Sequence, residues 1–149
     1  MSTDRTARRH GTGLTIHDDQ EFWTREQLAA LSHMGVADAP NPDLAVFQHV
    51  CKRTGLGPVA RQIYMIRRMQ GGQYRWTIQT GIDGYRLVGR RAADRRGESI
   101  SVGAPRWAHR DGGWRDLWSG DWGFPLAAQV TILRGGQEFV GVAIFDEYK

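Results

Sequence analysis

Positions 1–20 mix Thr, Gly, Arg and Asp without any apolar period, so this stretch reads as a flexible arm. Periodic apolar positions begin after it. Thr24 stands where a helix cap belongs, with Gln27 three residues on as a capping-box partner. Leu28, Leu31 and Met34 then mark one helical face, Phe22 or Trp23 is placed to staple onto Leu28, and Gly35 stops the run. Residues 38–43 form a turn-rich connector. From about Pro42 to Thr54 the apolar residues Leu44, Phe47, Val50 and Cys51 recur at three and four, and Gly55 ends a second helix.

The period then changes from helical to alternating. Residues 62–67 read as a strand, 70–73 as a hairpin turn and 74–79 as the return strand. Alternation puts Tyr74, Trp76 and Ile78 on a core-like face, and Arg75, Thr77 and Gln79 on a face open to a ligand. Thr80 to Asp83 fits a capping box that opens a helix running to about Ala93. Its apolar side is Ile82, Tyr85, Leu87, Val88 and Ala92, with Arg86, Arg90 and Arg91 on the other. The remainder reads as an antiparallel meander, with strands near 100–109, 114–118, 126–134 and 138–146. The expected class is α+β: two N-terminal helices, a β-hairpin, a basic helix and a meander. As domains, residues 1–20 are the arm and 21–149 one core.

Charge sharpens this picture. Residues 52–110 carry thirteen Lys and Arg against Asp83, Asp94 and Glu98, whereas the segments on either side are each mildly acidic. A concentrated basic block in an acidic frame is the footprint of a polyanion-binding surface. Eighteen of the twenty basic residues are Arg, which suits bidentate phosphate contact and stacking on bases. Arg5, Arg8 and Arg9 add basic charge to the arm. No apolar run approaches the roughly 18 residues of a membrane span, and the first residues lack a secretory h-region. One cysteine allows no internal disulfide, so a reducing, cytoplasmic compartment is expected. Cys51 lies on the apolar face of its helix and reads as a core residue.

Enzyme signatures are missing. The glycines form no Walker loop, the five histidines form no metal-binding pair, and Ser99, Ser101 and Ser119 sit in no nucleophile elbow. Asp83 reads as a helix-start cap. The expectation is a protein that is not an enzyme and has no dedicated metal or cofactor site. Arginines interleave with aromatics from 61 to 118, a mix suited to single-stranded nucleic acid. Trp107, Trp114, Trp118 and Trp122 are read mainly as meander core, with base stacking as their other reading.

Four separated blocks carry a family pattern: Cys51-Lys-Arg-Thr-Gly-Leu-Gly-Pro-Val-Ala-Arg-Gln-Ile-Tyr64, Ile78-Gln-Thr-Gly-Ile-Asp-Gly-Tyr-Arg-Leu87, Trp114-Arg-Asp-Leu-Trp118 and Pro125-Leu-Ala-Ala-Gln-Val130. In that order and spacing they resemble the RecT/Redβ family of phage single-strand annealing proteins, from about residue 22 to 149. The resemblance implies an ATP-independent recombinase in a bacterial host cell. Such a protein coats single-stranded DNA left by a partner exonuclease, assembles into rings or filaments, and anneals the complementary strand. Mg²⁺ assists annealing in that picture. The resemblance also implies a hairpin and sheet packed on helices around a basic groove. Arg61 takes a basic position before the hairpin, and Arg67 or Arg68 a second one. Gln79, Tyr85 and Arg86 share a motif block, and a DNA role for them follows from charge and face. Arg75, Arg90 and Arg91 complete the candidate DNA-binding set.

Family members continue past the position of Tyr148 into a basic helix and a partner-binding region. A chain stopping at Lys149 is therefore expected to be truncated. Two other readings stand beside annealing: a truncated interaction or regulatory module acting on a full-length homologue through the meander edge, and a metal-dependent nuclease.

Overall fold

The computed structural model describes residues 13–148. Their class is α+β, with three α-helices and antiparallel sheets. The chain divides into two compact units, Met1–Arg86 and Leu87–Lys149.

The first unit opens on α1, Arg25–Leu31. Its capping box forms as expected: the Thr24 hydroxyl accepts from Gln27 N at 3.2 Å, and Gln27 Oε1 accepts from Thr24 N at 2.9 Å. Gln27 is itself buried and donates to the Thr15 carbonyl at 2.9 Å, while Lys52 Nζ donates to the Gln20 carbonyl at 2.9 Å. Residues 15 and 20 are thus tied to the helices; the arginines at 5, 8 and 9 lie outside the described residues. Gly35 does not end α1 directly. The helix widens into a π-type turn, Ser32–Val36, in which Gly35 takes φ +83°. Helix α2, Asn41–Thr54, ends as expected at Gly55, which is left-handed at φ +64°.

Trp23 staples a different partner from the one its position suggested. Its ring lies 5.6 Å from that of Phe47, and its indole N–H donates to the Leu44 carbonyl at 2.7 Å. It therefore joins α1 to α2. With Leu31, Val36, Leu44, Phe47, Cys51, Leu56, Ile63 and Met65 it makes the buried core of this unit.

Strands β1, Ile63–Gln70, and β2, Gln73–Thr80, form the hairpin. Gly71 and Gly72 are its two turn residues, at φ +56° and +79°. A two-residue turn of that hand matches strand twist and needs positive φ at both positions, hence two glycines. Ile63 and Met65 anchor the base of the hairpin in the core, while Arg67 to Arg75 are exposed.

Helix α3, Ile82–Asp94, begins right after β2 and runs across the division between the units. Thr80 is not its cap. It is the last residue of β2, opposite Ile63, and the Asp83 carboxylate pairs with Arg86 at 3.2 Å. The strand claims Thr80 because the ladder continues to its end. The expected apolar side of α3 is also corrected. Ile82, Tyr85 and Val88 are exposed, Leu87 and Ala92 half-buried, and Ala93 fully buried. Gly84 is buried instead: a Cβ there would run into the Gln62 carbonyl. The helix start lies directly on the backbone leading into β1, and only a glycine permits that approach.

In the second unit β6, Ala127–Arg134, is the central strand, with β7, Gln137–Ile144, along one edge. The other edge carries two short strands end to end, β3, Ile100–Val102, and β4, Arg106–Ala108. β5, Trp114–Arg115, pairs with β4. The single strand expected near 100–109 is broken by Gly103 to Pro105. Gly103 N still donates to the Thr131 carbonyl at 2.8 Å, but Pro105 has no N–H to give. The strand expected at 114–118 shrinks to two residues. The tryptophans are not core: Trp107, Trp114 and Trp118 are half-buried and Trp122 is exposed. His109, Trp118 and Trp122 pack on one another, ring centres 5.4–5.7 Å apart, and the Trp118 N–H is held by the Gly123 carbonyl. A single twisted sheet has too little covered face to bury four indoles. Among the described residues Ala93 is the one buried hydrophobic side chain of this unit.

Candidate nucleic-acid interface

The hairpin sorts the expected arginines onto two faces. Residues directly opposite in an antiparallel pair share a face. Arg67 stands opposite Trp76 and Met69 opposite Tyr74, so Arg67 belongs with the aromatic side chains. Its guanidinium lies over the Tyr74 ring, 4.4 Å from the centroid. Tyr74 is 61% exposed and so is not core.

The other face carries Arg68 directly opposite Arg75, with Gln79 further along the same face, opposite Tyr64. Arg68 Nη2 donates to Gln79 Oε1 at 2.9 Å. Among the described residues, no carboxylate pairs with Arg68 or Arg75. Two like charges facing each other across a hairpin destabilise it. An anion bridging the two guanidiniums converts that repulsion into attraction, and a phosphate matches their paired donors. Arg67 and Arg68 are therefore not equivalent: Arg68 belongs with Arg75 and Gln79, and Arg67 with the rings.

Arg61 precedes β1 and is exposed. Its backbone is left-handed, φ +56°, the one positive φ of a non-glycine among the described residues. Its N–H donates to the Pro58 carbonyl at 2.9 Å, which closes the turn that holds it there. Such a conformation costs an L-residue on the order of 1–2 kcal/mol. Tyr85, exposed, and Arg86, in its exposed pair with Asp83, lie on the first turns of α3.

Arg90, exposed, and Arg91, half-buried, fall in the second unit. The candidate set omitted Arg95 and Arg96, both exposed, in the turn directly after the same helix. The signal was available: four arginines occur within seven residues. Their position at a helix C-terminus also suits the macrodipole.

Cys51 is buried and its thiol is pushed up to about 12 by burial, with its own backbone contact opposing in part. A thiol held protonated is a poor nucleophile and a poor metal ligand. In the second unit Asp111 is held below the usual carboxylate range, first by the Gly113 N–H and then by Arg115 and His109. That cluster locks the turn before β5. Among the described residues no group of three or more His, Cys, Asp or Glu is placed to hold a metal ion. No helix among them is long and apolar enough to cross a membrane.

Comparison with models of known protein families, with curated proteins and with solved structures finds no match.

Proposed function

We propose that the chain binds single-stranded DNA and anneals it to its complement without ATP, as the core of a RecT/Redβ-like protein. The observation that carries this reading is the Arg68–Arg75 pair, two guanidiniums opposed across the exposed hairpin, with Gln79 their one hydrogen-bond partner among the described residues. Arg61, Arg67, Tyr85 and Arg86 add cations and flat surfaces in the same unit, and Arg90 and Arg91 add charge further along α3. No chemical barrier has to be lowered. The protein neutralises the backbone and leaves bases free to sample register, and correct pairing drives the reaction. Self-assembly on the strand, supply of the strand by an exonuclease, and help from Mg²⁺ belong to the same proposal.

The test is fluorescence anisotropy with a labelled strand of about 40 nucleotides at several salt concentrations, followed by the complement. If about five phosphates are neutralised, log K against log salt has a slope near −3.5. Annealing faster than for DNA alone supports the reading. No binding, or no acceleration, refutes it.

β7 favours a second reading. All eight of its residues are exposed, and among the described residues its outer edge has no strand partner. An interaction module adding this edge to a full-length homologue would form mixed assemblies and bind little DNA alone.

A further inference from the structure

The aromatic face of the hairpin has a cavity of its own, about 460 Å³, entirely within the first unit. Roughly 300–1,000 Å³ is the usual range for a small-ligand pocket. It is lined by Tyr74, Trp76, Arg67, Arg75 and Pro40 together with two acidic residues, Asp38 and Asp43. Asp38 comes from the connector before α2 and Asp43 from its first turn. Neither carboxylate has a salt bridge or hydrogen bond among the described residues, although Arg67 and Arg75 line the same cavity. Arg67 lies over Tyr74 instead.

This chemistry differs from that of the opposite face. Arg67 and Arg75 line the cavity too, Arg75 belonging also to the Arg68 face, but the two acids beside them offset that charge and supply acceptors that a phosphate cannot use. A carboxylate only accepts hydrogen bonds. Flat rings beside acceptor-only groups suit a nucleobase that presents donors. Guanine alone carries two adjacent donors on its pairing edge, N1–H and the exocyclic amine, in the spacing of a carboxylate's two oxygens. Adenine and cytosine offer one amine beside an acceptor, and thymine one N–H between two acceptors.

We propose that this cavity takes one guanine of the bound strand, stacked against Tyr74 or Trp76 and held by its pairing edge on the Asp38 or Asp43 carboxylate. The proposal rests on the single-strand reading and adds base selectivity to it. A base held this way is withheld from its complement, so guanine-rich strands bind more tightly and anneal more slowly.

The test compares three labelled strands on the full chain: thirty thymines, the same length with three guanines, and the same with three hypoxanthines, which lack the exocyclic amine. The guanine strand should bind about tenfold tighter than the thymine strand, and hypoxanthine should remove most of that gain. Asp38→Asn and Asp43→Asn, singly and together, should lower guanine-strand affinity while leaving thymine-strand affinity equal or higher, since a negative charge is gone. Equal affinity for all three strands overturns the proposal while single-strand binding stands, and so does a loss in the variants that is the same on every strand. If the wild type binds no strand, the single-strand reading falls. The cavity is then judged by free dGMP against dTMP, followed at the Trp76 indole resonance by NMR. A selective response to dGMP retains the proposal, and an equal or absent response ends it.

Discussion

Arg68 faces Arg75 directly across the β1–β2 ladder, and Arg68 donates to the neutral Gln79 amide at 2.9 Å. Like charges so placed strain the free protein; under the proposed function a bound phosphate would relieve them, so folding and binding would pull in opposite directions at one place. Arg68→Ala or Arg75→Ala should raise stability by about 0.2–1 kcal/mol by removing the repulsion. Each should weaken single-strand binding and shrink the salt slope by about 0.7 for every phosphate no longer neutralised. Chemical denaturation and anisotropy on the same samples check both signs. A variant that loses stability and binding together would mean that the arginines serve the fold.

Arg61 separates the same two quantities in another way. Glycine accepts φ +56° without strain, at some cost in chain entropy. Arg61→Gly should keep stability or raise it by up to about 1 kcal/mol, while binding weakens. Arg61→Lys keeps the charge and should retain most of the binding. Equal binding by Arg61→Gly would remove Arg61 from the interface.

Gly84 should tolerate nothing larger. An added methyl meets the Gln62 backbone carbonyl, which cannot rotate away as a side chain would. Gly84→Ala should cost roughly 1–3 kcal/mol and lower the melting temperature. Gly97→Ala offers open space but has φ +65°, so its smaller loss reports backbone strain alone.

Cys51 gives a dependence on pH. Its folded pKa, about 12, lies above the unfolded value near 8.5. The stabilisation is therefore full below about pH 8.5 and is lost progressively as pH rises toward 12, because the unfolded chain releases the proton first. Denaturation midpoints should fall across that window, and Cys51→Ala should flatten the fall. Iodoacetamide at pH 8 should leave the native thiol unmodified and alkylate it once the protein unfolds.

Much of the fold could be read from local chemistry. The Thr24–Gln27 box, the Gly55 stop and the Gly71-Gly72 turn each depend on a few neighbouring atoms, and each is where the pattern put it. Tyr74 and the four meander tryptophans were misjudged because alternation tells which side a residue faces, not whether anything covers that side. Gly103 to Pro105 interrupts a strand in plain view, since proline cannot feed the ladder. At the interface, the opposition of Arg68 and Arg75 was legible too. A turn centred between Gly71 and Gly72 places each residue of one strand against the residue equally far beyond the turn. The cavity walled by Asp38 and Asp43 was not, because the connector and α2 come together with the hairpin only on folding.

The uneven placement of buried side chains sets how the molecule opens. Among the described residues, the first unit holds ten of the eleven buried hydrophobic residues, from Trp23 to Met65, and the second holds Ala93. Local opening free energy follows the apolar surface kept from water, so the two units should behave as separate cooperative blocks. Amide protons of β1 at Ile63 and Met65, and of α2 around Phe47, should be the last to exchange with deuterium. Those of β6 and β7 should exchange early, at denaturant concentrations that leave the helical unit intact.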